Sequence, residues 1–126
     1  MCKTILLAFA FFFVAVPAVA APAGTAQNFL DRANRLKAKG PLAFFDGDYK
    51  RLKAEATAVG KSIGNDRIAA EKAGRPILYC SPKARAQLGS YEFLDGLEAI
   101  PADQRQTMSL KDAMARVLQK KYPCGR

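Results

Sequence analysis

The apolar positions of this chain follow two different patterns. Residues 5–16 form one unbroken apolar run, whereas from residue 25 onward apolar side chains recur at intervals of three and four. The second pattern lines one face of an α-helix. Phe29, Ala33 and Leu36, with Leu30 beside them, predict a helix over residues 25–39. Lys37 and Lys39 suit its negative end, and Gly40-Pro41 stops it. Leu42, Ala43, Phe44 and Phe45 then read as a short apolar connector before the turn Asp46-Gly47-Asp48.

A second helix is expected from about Asp48, with Leu52, Ala56, Val59 and Ile63 on one face and Lys50, Arg51, Lys53 and Glu55 mainly outside. Gly60 and Gly64 each weaken it by about 1 kcal/mol relative to Ala. The pattern therefore permits one helix, or two with a restart at Asn65-Asp66 carrying Ile68 and the alanines 69, 70 and 73 to a stop at Gly74-Arg75-Pro76.

Residues 76–80, Pro-Ile-Leu-Tyr-Cys, have extended character. Ser81-Pro82 resembles an N-cap and first-turn proline, predicting a short helix to Leu88 that Gly89 stops. Ser90 is then the expected cap of a helix whose stripe is Phe93, Leu97 and Ile100, assisted by Leu94, and which Pro101 ends. The last helix opens at Ser109, with Asp112 in the place of a capping-box Glu. Leu110, Met114, Val117 and Leu118 form its apolar face, and Tyr122-Pro123 forbids continuation beyond Lys120 and Lys121. β-branched residues are scarce after residue 20, while alanines are abundant. The expectation is an all-α, small single-domain bundle of about four to five helices.

The terminal run changes the picture. Lys3, the apolar residues 5–16, and then Pro17-Ala18-Val19-Ala20 make the pattern of a secretory signal peptide cut after Ala20. Twelve residues fall short of the roughly 20 that span a bilayer. Residues 1–20 are thus read as signal peptide and 21–126 as one helical domain in the periplasm, with no stable membrane anchor. Cys2 leaves with the signal, so Cys80 and Cys124 remain, the only two partners for an intramolecular disulfide in an oxidising compartment. Closing a ring of about 45 residues is worth up to about 4 kcal/mol in the chain-entropy picture.

Composition narrows the chemistry. The 126 residues carry 20 Lys+Arg against 11 Asp+Glu, for a net charge of +9, and no His. Without imidazole, Ser-His-Asp and Cys-His catalysis and His-ligated metal sites are excluded. Gly60-Lys61-Ser62 lacks the upstream glycine of a phosphate loop, because position 55 is Glu. Asp46-Gly47-Asp48 lacks the next acidic ligand of a calcium loop, because position 50 is Lys. Glu92, Asp95 and Glu98 could share a helix face as paired carboxylates, but that face opposes the apolar stripe, where exposed acids are routine. No catalytic residue, metal ligand or cofactor is expected. The basic residues are scattered over every predicted helix, which argues against a nucleic-acid surface; attraction to anionic lipid and steering toward an acidic protein both stay open.

The C-terminal half carries a more specific pattern. It runs Ile77-Leu78-Tyr79-Cys80-Ser81-Pro82, then Tyr91-Glu92-Phe93-Leu94 through Leu97 to Ile100-Pro101. Ser109-Leu110 with Ala113 and Leu118 follows, and Lys121-Tyr122-Pro123-Cys124 ends it. In order and spacing these elements resemble the Tai/Rap family, small exported immunity proteins associated with type VI secretion. The resemblance covers residues 74–124. Upstream, where such proteins often carry an aromatic-x-x-Gly stretch, this chain has Val59-Gly60 and Ile63-Gly64 and no cysteine. The resemblance implies a compact helical inhibitor, often dimeric, that binds and blocks a peptidoglycan-cleaving amidase. It transfers Cys80 and Cys124 as a structural disulfide and Pro82 and Pro123 as helix-boundary prolines, and it assigns no partner-contacting residue. The expected function is amidase immunity. The alternatives are a small envelope-stress or chaperone-like protein responding to acid through its carboxylates, and a carboxylate-based hydrolase.

Overall fold

The computed structural model of the chain describes residues 20–82 and 86–125. Among these, helices α1 (Ala26–Ala38), α2 (Gly47–Lys72), α3 (Ser90–Glu98), α4 (Ala102–Arg105) and α5 (Leu110–Lys121) carry the fold, with a 3-10 helix over Gly40–Phe45 and no strand. The protein is an all-α domain. The expected signal peptide falls on residues outside the described part, apart from Ala20.

Each helix boundary has a local cause. Thr25 caps α1 by accepting from Asn28 N at 3.2 Å, and Gly40 follows its end at φ +57°, a conformation that leads directly into Pro41 and the 3-10 helix. Asp46 caps α2 through Asp48 N at 2.8 Å. At the other end of α2, Gly74 N reaches Glu71 O and Arg75 N reaches Ala70 O, a Schellman closure around Gly74 at φ +64°. Ser109 caps α5 through Asp112 N at 3.0 Å, and its hydroxyl donates to the Asp112 carboxylate at 2.8 Å.

Four expectations need correction or a decision. First, α2 is a single helix through Gly60 and Gly64. A Cβ at Gly60 would lie 3.7 Å from Met114 Sδ, and Ile63 is buried; packing on α5 outweighs the glycines' weak propensity. Ile68, expected among the apolar positions of this stretch, is exposed, and Ala70 is buried in its stead. Second, the short helix expected up to Leu88 is absent from residues 86–89; residues 83–85 lie outside the described part. The backbone of Gln87 is committed elsewhere, since its N–H reaches Tyr122 Oη at 3.2 Å and its carbonyl accepts from Tyr122 Oη and Lys121 Nζ. Third, the N-cap of α3 is Gly89, whose N–H reaches the Glu92 carboxylate at 3.3 Å, and Ser90 is the first helical residue. Fourth, α4 was not anticipated. It returns Arg105 to the end of α3, where Nη1 donates to the carbonyls of Leu97, Glu98 and Ile100 and Nε to Gln27 Oε1. The orphan carbonyls of one helix are thereby satisfied by the side chain of the next.

α1 and α5 form the middle of the bundle. Each packs against both α2 and α3. An antiparallel bridge between Thr25 and Ser109 ties their starts, with Ala26 N to Met108 O and Leu110 N to Gly24 O both at 3.0 Å. One core joins Phe29, Leu30 and Leu36 to Leu52, Ile63, Phe93, Leu97, Ile100, Leu110, Met114, Val117 and Leu118. Phe29 and Phe93 rings meet at 5.6 Å in a tilted pair. Residues 75–80 cross extended from the end of α2 to the end of α5. Tyr79 is buried on the way under Arg67, whose guanidinium lies 5.4 Å from the ring, and Cys80 N reaches Tyr122 O at 2.8 Å. The Cys80–Cys124 disulfide closes this crossing, with Cα atoms 4.8 Å apart.

Two experiments check this packing. Replacing Cys80 and Cys124 by Ser should lower unfolding free energy by up to about 4 kcal/mol in guanidinium titrations. Gly64→Ala and Gly96→Ala should have opposite signs. Position 64 is open, so Ala stabilises by about 0.5–1 kcal/mol. At position 96 a Cβ would lie 2.7 and 2.8 Å from the two methyls of buried Val117, so Ala costs about 1–3 kcal/mol despite its better helix propensity.

Candidate functional site

The arrangement of helices leaves one side of the bundle uncovered. α2 and α3 flank the central pair α1 and α5 without closing over it at the end where α1 runs into the 3-10 helix. The result is an open groove of about 880 Å³. Its floor is Phe29, Ala33 and Leu36 of α1 with Met114 of α5; Leu52, Ala56 and Gly60 of α2 form one wall; Leu88, Tyr91, Phe93 and Leu94 form the other. Lys37 and Lys53 stand at its edge, and among the described residues no carboxylate lines it. The groove is thus apolar inside and cationic at the mouth.

Its rim is aromatic. Phe44 of the 3-10 helix lies edge-on to Tyr49 at 5.2 Å and remains 63% exposed, and Tyr91 at the start of α3 is 74% exposed. Large apolar side chains left in water at a concave site are the usual mark of a binding surface, because bulk solvent gives them nothing to pack against.

Polar contacts outside the groove fix its two walls. On the α2 side, Arg32 of α1 donates to Asp48 from Nε and Nη2, at 3.2 and 2.7 Å, and from Nη1 to Glu55 at 2.8 Å. Hydrogen bonding to Arg32 holds the Asp48 carboxyl below its ordinary value, and the same bond raises the guanidinium pKa further above its normal range. Asp46 is lowered likewise by its ion pair with Lys39 and by its cap bond to Asp48 N. On the α3 side, Lys121 Nζ donates to Glu92 Oε2 and to Gln87 O, both at 2.7 Å. That contact lowers the Glu92 pKa and raises that of Lys121. Tyr122 Oη adds its bonds to Gln87, so the wall carrying Leu88 and Tyr91 leans on the end of α5.

The disulfide expected between Cys80 and Cys124 forms, and it lies away from the groove-lining residues. The three carboxylates at 92, 95 and 98 do not act as a set: Glu92 pairs with Lys121, Asp95 and Glu98 lie exposed, and none lines the groove. Among the described residues no group of three or more His, Cys, Asp or Glu is placed to hold a metal, and no helix is long and apolar enough to cross a membrane. The groove itself escaped the reading of the sequence, in which Leu42 to Phe45 were only a connector. One signal was present: four consecutive apolar residues, two of them Phe, with no helical period to bury them.

The Arg32 cluster sets a pH dependence. Asp48 and Asp46 titrate below 3.8 when folded, so the unfolded chain binds more protons across that interval. Their contribution is present above about pH 4 and lost as pH falls through the folded values. Asp48→Asn should therefore cost about 1 kcal/mol at pH 6 and progressively less as pH falls below about 4, read from denaturant midpoints at each pH.

Comparison with protein-family models, curated proteins and solved structures finds no match to this chain, so its function is argued from the groove and the residue pattern alone.

Proposed function

We propose that this chain is an exported binding protein of the immunity type, which covers the surface of a secreted peptidoglycan amidase in the periplasm and blocks it. The observation that carries the reading is the open apolar groove with Phe44 and Tyr91 on its rim. A protein that acts by occlusion needs a rigid surface with a few aromatic anchors and no nucleophile. Both walls are braced by charge-assisted bonds, so little ordering cost falls on association. Lys37 and Lys53 would favour an acidic margin on the partner. The export pattern of residues 1–20 and the likeness of residues 74–124 to the Tai/Rap family supply the compartment and the class of partner.

A second reading, an acid-responsive envelope chaperone, has one observation in its favour. The ties that frame the groove run through Asp46, Asp48 and Glu92, and protonating them would loosen both walls. Reversible dye binding near pH 3 on a chain that keeps its helices would support it; cooperative unfolding would not.

The test is periplasmic co-expression with a peptidoglycan amidase delivered by type VI secretion. The wild-type chain should prevent lysis, and the pair Phe44→Asp and Tyr91→Asp should weaken protection by about tenfold or more in the dose of amidase tolerated. Unchanged lysis with the wild-type chain would overturn the reading.

A further inference from the structure

The 3-10 helix carries more exposed apolar surface than the groove accounts for. Phe44 belongs to the groove rim, but Leu42 and Phe45 do not line it, and they are 71% and 89% exposed. Both belong to the 3-10 helix that begins at Gly40 and ends at the Asp46 cap. At these exposures neither side chain is covered by the described residues, and neither lines the groove.

The charge around this segment is one-sided. The segment Gly40–Phe45 has no charged residue. The last turn of α1 supplies Arg35 and Lys37, and the first turns of α2 supply Lys50, Arg51 and Lys53; all five are exposed. The two acids in the same stretch, Asp46 and Asp48, are half-buried and already paired, with Lys39 and Arg32. An apolar tip flanked along the chain by exposed cations, with the local acids paired, is complementary to anionic headgroups above an acyl layer.

We propose that Leu42 and Phe45 form an interfacial anchor that seats the protein on an anionic phospholipid membrane. The cations approach within a Debye length of the headgroups and concentrate the protein there, while the two side chains, covered by no protein surface, leave water for the headgroup–acyl boundary. A membrane suits two such exposed side chains, because acyl chains deform around them where a protein would need a matching pocket. The inference does not rest on the amidase reading. It puts the groove beside the bilayer and leaves the groove open for another occupant.

The chain has no Trp, so Phe45→Trp introduces a single reporter at the tip and Tyr91→Trp one on the groove rim. Purified, disulfide-bonded protein is mixed with phosphatidylcholine vesicles, with or without about 40% phosphatidylglycerol. The expected result is a blue shift and brominated-lipid quenching for Phe45→Trp on anionic vesicles, with Tyr91→Trp unmoved. In co-sedimentation, Leu42→Ser with Phe45→Ser should lower partitioning by about tenfold or more, as should raising salt from about 0.05 to 0.5 M. Both replaced side chains are mostly in water, so the variant folds, which circular dichroism checks. Equal partitioning of this variant and the wild type, or unshifted Phe45→Trp emission, would overturn the anchor. So would loss of protection against the amidase by the Leu42→Ser, Phe45→Ser variant with vesicle binding unchanged, which assigns the tip to a protein. Failure of the amidase reading leaves the vesicle results as they are.

Discussion

The structure depends on what happens where the last helix ends. Cys80 and Cys124 join the extended crossing of residues 75–80 to the terminus of α5, and Cys80 N adds a hydrogen bond to Tyr122 O. Tyr122 and Lys121 then turn outward from the same point and hold Gln87 and Glu92. One covalent bond thus stands behind three separate features: the burial of Tyr79, the non-helical course of residues 86–89, and the position of the groove wall that starts with Leu88. In a domain with a modest core, an unfolded state shortened by a 45-residue ring is a substantial share of total stability.

The polar interactions have a common design. Arg32, Arg105 and Lys121 each engage two or more acceptors, and each spans elements distant in sequence. Arg105 replaces the missing tail of α3 with a side-chain cap, and Arg32 sets how α1 meets α2. These bonds stand outside the groove, which leaves its interior to apolar side chains and its mouth to unpaired lysines. That division is what a docking surface requires: rigidity supplied from behind, and a contact face whose burial releases water without stranding a buried charge.

Helix positions and their buried faces were legible in the sequence because they obey local rules. Thr25, Asp46 and Ser109 cap as their side chains dictate. The stripe Phe93, Leu97, Ile100 and the face Leu110, Met114, Val117, Leu118 are buried as their spacing demands. The misreadings share a cause. Gly89 and Ser90 both make acceptable caps, and only Glu92 reaching back decides between them. Residues 86–88 read as helix until Tyr122, 35 positions from Gln87, takes that residue's backbone. Whether Gly60 and Gly64 break α2 was undecidable without the tertiary contacts that bury Ile63 and set Met114 beside Gly60.

The sequence by itself determined an all-α chain, the identity of the disulfide and the lack of imidazole chemistry, because propensity, periodicity and cysteine arithmetic involve neighbours or counts. The tertiary structure alone decided that α2 and α3 stand apart over α1 and α5, and so that a groove exists. It also decided that Phe44, Phe45 and Leu42 stay in water. A run of apolar residues specifies only that burial is favourable; whether anything covers them depends on packing angles and on partners that no local pattern encodes.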